Sequence, residues 1–310
     1  MLDHWDTVTL RVVKVGVLYP QTELPTDPGA VRAYVQKVEE LGYSHILAYE
    51  HVLGADPTVH LNWDGPYDIS NTFHEPMVLY GFLAALTTLE LVTGIIVAPQ
   101  RQTALLAKQA AEVDILTNGR FRLGLGIGWN TVEYEALGQN FTTRGQRVEE
   151  QIGLLRRLWT ERVVTHDGRF DRVTAAGLAP APVQRPIPIW LGAGSSAAYR
   201  RIGRLADGWF PQMSVGSELD DARSVISRAA TEAGRDPSAL GMEAQLDWNI
   251  GAAELVKLAD LWRTAGASHV AINTMESGLV GVDAHLKALA LVAEALQLPP
   301  GPLQPAHLGV

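Results

Sequence analysis

Cysteine is absent from this chain of 310 residues. Its absence excludes disulfides, thiolate metal sites and cysteine nucleophiles, and it fits a cytoplasmic protein. Positive charge is also scarce: 25 Lys and Arg stand against 34 Asp and Glu, a net charge of −9. Nucleic acid is therefore not an expected partner, because binding it takes clustered cations that displace counterions. No apolar run reaches the ~18 residues of a membrane span, so no membrane association is expected. Met1 to Leu10 carries charges where a secretory signal needs an apolar centre. The nine histidines do not fall in zinc-ligand spacing and no HExxH segment occurs, so no metal site is expected.

What the chain does have is enough apolar residue, 47%, to bury a large core. Its length suits two domains or one α/β barrel. Short apolar runs at 11–19, 44–50, 91–98, 121–128, 187–191, 208–212, 241–248 and 268–273 are expected strands. They alternate little between apolar and polar, as strands buried on both faces should. Helical patterns follow at 26–41, 74–88, 103–116, 130–137 with 142–159, 197–206, 217–233, 252–264 and 282–296. Stop and start signals support the boundaries, such as Thr26-Asp27-Pro28 before the first helix and Asn118-Gly119 after the third. Two insertions interrupt the order. Residues 51–71 form a long polar loop after strand 2, and 161–185 carry a small hairpin after strand 4.

Eight strand-then-helix units in succession argue for a single (β/α)8 TIM barrel of class α/β. The domain is residues 1–310, with a core over about 11–296 and a Pro/Gly-rich tail over 297–310. An open Rossmann-like sheet is the competing architecture, but the first strand lacks GxGxxG. In a barrel the ligand groups sit at the C-terminal ends of the strands, which directs attention to a few positions.

Glu50-His51 closes the second strand. A carboxylate beside an imidazole there sets a tautomer or moves a proton; the alternative is a solvated strand end. Gly94 interrupts the third strand, marking either a bulge with close ligand approach or relief for a bulky neighbour. Gly124, Gly126 and Gly128 strip one face of the fourth strand, which either admits a flat ring or fits a tight barrel layer. Trp129 then walls a pocket or packs in the core, and Asn130 caps the next helix. Gly192-Ala193-Gly194-Ser195-Ser196 runs from a strand into a helix N-terminus, suited to an anion or to an ordinary capped turn. Arg144 stands where a cation opposes the helix dipole, so it serves a phosphate or a surface ion pair. His60, Trp63 and Tyr67 in the long loop either cover a substrate or sit on a mobile surface.

Several stretches together resemble the bacterial luciferase-like monooxygenase superfamily, and within it the deazaflavin (F420)-dependent oxidoreductases of actinobacteria. They are LVTGIIVAP (91–99), AKQAAEVD (107–114), NGRFRLGLGIGWN (118–130), FTTRGQRVEEQIGLLRRLW (141–159) and IPIWLG through LADGW (187–209). The resemblance implies a TIM barrel with a flavin or deazaflavin ring across the strand ends. It implies a non-prolyl cis peptide at Gly94-Ile95 backing the ring, with Gly128, Trp129 and Asn130 beside it. The cofactor phosphate falls to Gly192, Ala193, Gly194, Ser195 and Ser196, assisted by Arg144. In the sugar-phosphate dehydrogenase branch an Asp-His pair ends the second strand and the His is the base; here the pair is Glu50-His51. That branch's glutamate after the fourth strand matches Trp129, so its acid/base set is incomplete and its substrate does not carry over.

The function so implied is an F420-dependent oxidoreductase acting on a small organic molecule, with His51 handling a proton and Glu50 as its neighbour. An FMN-dependent monooxygenase using FMNH₂ and O₂ is the alternative, and a non-catalytic flavin-binding relative is a second. The resemblance further implies a homodimer served by a flavin or F420 reductase system.

Overall fold

A computed structural model describes residues 13–302. Its elements follow the expected alternation. The sequence begins with β1 (Lys14–Leu18), α1 (Pro28–Glu40), β2 (His45–Ala48), α2 (Pro76–Leu83), β3 (Glu90–Thr93), β4 (Ile96–Val97) and α3 (Thr103–Leu116). Then come β5 (Phe121–Gly126), α4 (Thr131–Ala136), α5 (Arg144–Thr160) and the hairpin β6 (Val164–Asp167) and β7 (Arg172–Ala176). The chain finishes with β8 (Ile189–Ala193), α6 (Ser196–Leu205), β9 (Gly208–Pro211), α7 (Ser217–Glu232), β10 (Gly241–Asp247), α8 (Ala252–Thr264), β11 (His269–Asn273) and α9 (Gly281–Ala295).

The strand order is β3-β2-β1-β11-β10-β9-β8-β5-β4, and β3 also pairs with β5, which closes the sheet. Neighbouring strands are parallel, with pairs such as Leu18↔Leu47, Leu47↔Val92 and Leu246↔Ile272. Closure rules out the open Rossmann-like alternative. β3 and β4 are two halves of one stave: Leu91 pairs with Phe121 and Ile96 with Leu125 on the same neighbour. The continuous third strand expected over 91–98 is thus broken at Gly94-Ile95, whose peptide is cis. Counted this way, the barrel has eight staves. β6 and β7 form a separate antiparallel pair, placed in the expected second insertion.

Local chemistry sets the helix starts. Asp27 accepts from the Ala30 N–H ahead of α1, and Pro28 opens the helix where its missing N–H costs nothing. Glu75 caps α2 in the same manner, followed by Pro76. This places the start of α2 two residues after the expected His74, and the helix stops at Leu83 rather than Thr88. The expected first-strand residues Arg11 and Val12 and the tail residues 303–310 lie outside the described residues. The described part of the tail bonds back to α1 through Gly301 N–H and Glu40 O at 3.2 Å.

The barrel interior is layered. Leu18, Leu47, Val92, Trp190, Phe210 and Met275 make a compact apolar layer. A side-chain carbon at Gly208 or Gly241 would overlap the Trp190 ring, so these glycines make room for it. Nearer the strand starts lies a buried ionic layer. Glu243 accepts from His45 Nε2 and from Arg122 Nη1, each at 2.6 Å, and Arg122 also reaches Glu90 at 3.2 Å. Arg122 stacks over Trp190, 4.1 Å from the ring centre, and His269 meets the same ring edge-on at 5.2 Å. The ionic layer fills the N-terminal end, and the apolar layer lies between it and the C-terminal end, where Phe210 lines the cavity.

Candidate active site

A cavity of about 750 Å³ opens at the C-terminal ends of the strands. That volume falls in the range of small-molecule and cofactor sites, ~300–1,000 Å³. One end is built from His51 and Glu133 and the other from Gly194, Ser195 and Arg201, with Ile95 lining the wall as well.

Of the two readings of the alternate glycines in the fourth stave, the fit to a tight barrel layer accounts for their packing: a side chain at Gly124, Gly126 or Gly128 would meet the neighbouring stave, and Gly126 and Gly128 also line the cavity. A Cβ at Gly124 would overlap the Thr93 carbonyl oxygen. At Gly126 it would lie 2.6 Å from Ile95 Cδ1, and at Gly128 2.7 Å from Val97 Cγ1. Alternate glycines therefore receive alternate residues, 93, 95 and 97. Gly94 likewise gives room to the Leu47 side chain. Ile95, seated on Gly126 and 3.5 Å from where a Cβ of Gly192 would be, presents its side chain as cavity wall.

At the end of the cavity beyond β2, His51 and Glu50 both line the wall, but they are not partners. Glu50 Oε2 accepts from the Val97 N–H at 2.5 Å, and Oε1 accepts from Arg101 Nε at 3.0 Å and also from Arg101 Nη2. Arg101 Nη2 donates as well to Glu75 Oε1 at 2.7 Å. One guanidinium therefore ties the two ends of the 51–75 loop. Burial pushes the Glu50 carboxyl up, and Arg101 and the Val97 N–H pull against that shift. This replaces the expectation of a Glu50-His51 pair.

The carboxylate that His51 bonds is Glu133, in α4. Its Oε1 lies 3.1 Å from His51 Nδ1 and accepts from the backbone N–H groups of Val52 at 2.8 Å and Leu53 at 3.2 Å. Its Oε2 accepts from Gln100 at 3.2 Å. Burial pushes the Glu133 carboxyl up, but the hydrogen bonds from His51, Gln100 and Leu53 and the His51 charge outweigh this and hold it below its ordinary value. An ionised carboxylate only accepts, so Nδ1 of His51 carries the hydrogen, and in the neutral imidazole Nε2 bears the lone pair. Around the imidazole stand Phe73 at 4.8 Å and Tyr67 and Trp129, each at 5.3 Å.

Asn130 does not line the cavity. It caps α4, accepting from Val132 N–H at 3.0 Å and Glu133 N–H at 3.2 Å, and donates to the Leu53 carbonyl at 3.2 Å. It therefore places Glu133 and the loop rather than a cofactor. Gly128 and Trp129 do line the cavity, as does Tyr67. Trp63 packs on Trp129 at 5.5 Å and donates to the Tyr67 carbonyl at 3.1 Å. His60 stands outside, exposed, 6.3 Å from the Trp63 ring. Of the three expected substrate-pocket residues, one reaches the cavity, one backs it and one does not touch it.

At the β8–α6 end, Gly192, Gly194 and Ser195 line the cavity, and Ala193 closes β8 between them. Ser195 caps α6, its Oγ 3.4 Å from the Ala198 N–H. Ser196 is turned away and accepts from Arg200 at 2.8 Å. Arg144 is not at this end: its guanidinium lies over the Phe141 ring at 3.6 Å and donates to the Phe141 carbonyl at 2.8 Å. The cation in the wall is Arg201, buried and held by Glu149 Oε1 at 3.1 Å and the Gly145 carbonyl at 3.2 Å. Helix N–H groups, a hydroxyl and a guanidinium form a donor set that fits a phosphate.

The residues that sequence reasoning missed are Glu133, Arg101 and Arg201. Asn130-x-x-Glu133 has capping-box spacing, which signals a turn-building pair. Arg201 falls three residues after Ala198, on the same helix face. Arg101 carries no local signal.

The family model for the luciferase-like monooxygenase matches residues 8–265. The chain belongs to that family. Alignment with an F420-dependent hydroxymycolic acid dehydrogenase of Mycobacterium tuberculosis gives 30% identity over 82% of this chain and 68% of that one. An FMNH₂-dependent dimethylsulfone monooxygenase of Pseudomonas fluorescens is 34% identical over 49% of this chain and 43% of that one. An uncharacterized Mycobacterium tuberculosis protein is 37% identical, but the match spans just over half of each chain, 53% of this one and 56% of that one. In fold, the monooxygenase RslO1 of Streptomyces bottropensis superposes with a TM-score of 0.74 at 19% identity, over 92% of this chain and 99% of its own. The family thus includes both F420-dependent and FMNH₂-dependent enzymes. Among the described residues no group of His, Cys, Asp or Glu is placed to hold a metal ion, and no helix is long and apolar enough to cross a membrane.

Proposed function

We propose that this protein is an F420-dependent oxidoreductase that exchanges hydride between the deazaflavin and an organic alcohol or carbonyl compound. The observation that carries this reading is the His51–Glu133 bond in the wall of the cavity. Hydride exchange at a carbinol carbon needs a group that takes or returns the hydroxyl proton. O₂ activation at a reduced flavin needs shielding more than it needs such a group.

When bound, the deazaflavin supplies the hydride acceptor or donor. Ser195, the Gly194 backbone and Arg201 would hold its phosphate, and Ile95 would lie against its ring. In the oxidative direction the substrate hydroxyl gives its proton to Nε2 of His51. Glu133, ionised at neutral pH, then faces an imidazolium at Nδ1, a charge-assisted arrangement that favours the proton's arrival. Tyr67, Phe73 and Trp129 limit water at the ring. The reading includes a partner that recycles the cofactor.

Titration of the protein with F420 and with FMN, followed by absorbance, tests it. Expected are F420 binding and bleaching or recovery of its absorbance on adding alcohol or carbonyl substrates. FMN binding with O₂-dependent turnover would make it a monooxygenase instead. Binding without turnover would make it a non-catalytic relative. Binding of neither overturns the reading.

A further inference from the structure

A second, smaller cavity, of about 110 Å³, lies between His51 and the loop that joins β2 to α2. His51 and Tyr67 line it and the large cavity alike, so the two rings form the partition between them. The two limbs of the loop make the rest of its wall, residues 52–54 on one side and Asp68, Asn71 and Phe73 on the other. Ile69 N–H donates to the Ala55 carbonyl at 3.0 Å and holds the limbs together. A side-chain carbon at Gly54 would lie 2.4 Å from the Asp68 carbonyl, so glycine is what lets them approach this closely. Val52 and Leu53 are exposed, which puts this wall at the surface.

Water fits this space. The volume takes about three or four molecules at ~30 Å³ each, and such molecules need polar partners. Asp68 and Asn71 supply them. Asp68 Oδ1 accepts from the Ser70 hydroxyl at 2.6 Å and from the Ser70 N–H at 2.7 Å, and these two bonds hold the carboxyl below its ordinary value. Its Oδ2 has no partner among the described residues. Asn71 Oδ1 accepts from the Asp68 N–H at 2.9 Å, and its amide N–H groups are without a partner among the described residues.

His51 needs such an outlet. Its Nδ1 is held by Glu133, so the ring gains and loses its other proton at Nε2. In the oxidative direction the carbon-bound hydrogen leaves with its electron pair as hydride to the cofactor, and the hydroxyl proton goes to Nε2. That proton must then leave the imidazolium while cofactor and product still fill the large cavity. We infer that the second cavity is the proton path between His51 and bulk water, with Asp68 as its outer station. The proton passes from Nε2 through water to the Asp68 carboxylate and on to the solvent, and no other bond is made or broken. Water is thereby kept on the loop side of the ring and off the reacting carbon. The use of the path in turnover rests on the oxidoreductase reading above; exchange of the ring proton along it does not.

The test is the rate at which the His51 ring proton exchanges with water in F420-saturated protein, read by NMR of the imidazole nitrogens. Asp68→Asn keeps an oxygen for Ser70 and removes the base. At an unchanged melting temperature it is expected to slow the exchange by about 10-fold or more. Formate, a small soluble carboxylate, is expected to restore it, and Asp68→Glu to exchange at close to the parent rate. With any secondary alcohol that the parent turns over, Asp68→Asn is expected to lower kcat and formate to restore it. Exchange that Asp68→Asn leaves unchanged, or slows without rescue by formate, overturns the inference, because Asp68 then does no more than cap its turn. Slowed and rescued exchange, with no turnover of any of a panel of secondary alcohols and ketones by the F420-loaded parent, supports the path and overturns the oxidoreductase reading alone.

Discussion

Glu133 Oε1 and His51 Nδ1 are 3.1 Å apart, although 82 positions separate them in the chain. The same oxygen takes the N–H groups of Val52 and Leu53, so one carboxylate fixes both the imidazole and the start of the loop that covers it. Glu133→Gln separates these roles. The amide oxygen still accepts from the loop, but the negative charge behind His51 is gone. If His51 acts as a base in the oxidative direction, kcat/KM at neutral pH falls by about 10-fold, because the imidazolium formed in that step loses its charged partner. Glu133→Ala also leaves those N–H groups unpaired and lowers stability by about 1–3 kcal/mol per buried donor. An unchanged kcat/KM in the Gln variant would show that Glu133 anchors the loop and does nothing for His51.

His51→Ala is expected to lower turnover by about 10²–10⁴-fold while cofactor affinity stays near that of the parent. The two measurements are independent, one by steady-state kinetics and the other by absorbance titration. Equal losses in both would mean that His51 holds the cofactor.

Arg101 neutralises Glu50 where burial pushes that carboxyl up. Arg101→Met leaves an unpaired buried carboxylate, at a cost of about 3–5 kcal/mol at neutral pH. The pH dependence then has an unusual sign. Glu50 in the folded variant has a higher pKa than in the unfolded chain, so the folded state binds more protons in between. Stability of the variant therefore rises as pH falls from 7 toward the ordinary carboxylate range. Adding Glu50→Gln should recover much of the loss at pH 7 and remove this slope. Urea unfolding at pH 7 and pH 5 checks both.

The eight-unit barrel was legible because its staves are short apolar runs separated by strong stop signals, and such runs depend little on distant partners. The site was legible only in outline. His51 and the Gly192–Ser195 turn sit at strand ends, which the architecture alone marks as the active face. Their partners did not follow. Glu50 is adjacent to His51 in sequence but turns to Arg101 instead, whereas Glu133 arrives from α4. The alternate glycines of the fourth strand were visible, yet what fills them is the third strand, a contact set by register. Arg144 drew attention because it opposes a helix dipole, but an aromatic ring next to it already holds it.

Arg201 and Arg144 give a paired test of the anion site. Arg201→Ala should weaken F420 by about 10–100-fold, the range of a charge-assisted hydrogen bond, and leave its phosphate-free deazaflavin core nearly unaffected. Arg144→Ala should change neither ligand by more than about 2-fold, since Arg144 contacts Phe141 and not the cavity wall. Fluorescence titrations of both deazaflavins against both variants decide it. If the two arginines exchange these outcomes, the phosphate lies at α5 and the assignment of Arg201 fails.

The ionic layer at the barrel floor predicts acid sensitivity with a defined sign. Burial, aided by the Arg122 charge, lowers the His269 pKa to about 3. In the unfolded chain it is about 6.5. Between these values the unfolded state carries one proton more, so stability rises with pH through this window and is complete above about 6.5. Each unit of acidification below that removes up to about 1.4 kcal/mol from this group. Glu243 adds to the effect at lower pH. Burial opposes its ionisation, but Arg122 and His45 more than compensate and hold it far below its ordinary value. Its contribution is therefore lost only as pH falls through the carboxylate range. His269→Gln should flatten the dependence of the urea midpoint between pH 6.5 and pH 5, even if the variant is less stable throughout. The parent should lose stability over the same interval, before its carboxylates titrate. A parent midpoint that stays level from pH 7 to pH 5 would mean that His269 is charged in the folded barrel, paired with Glu243 rather than repelled by Arg122.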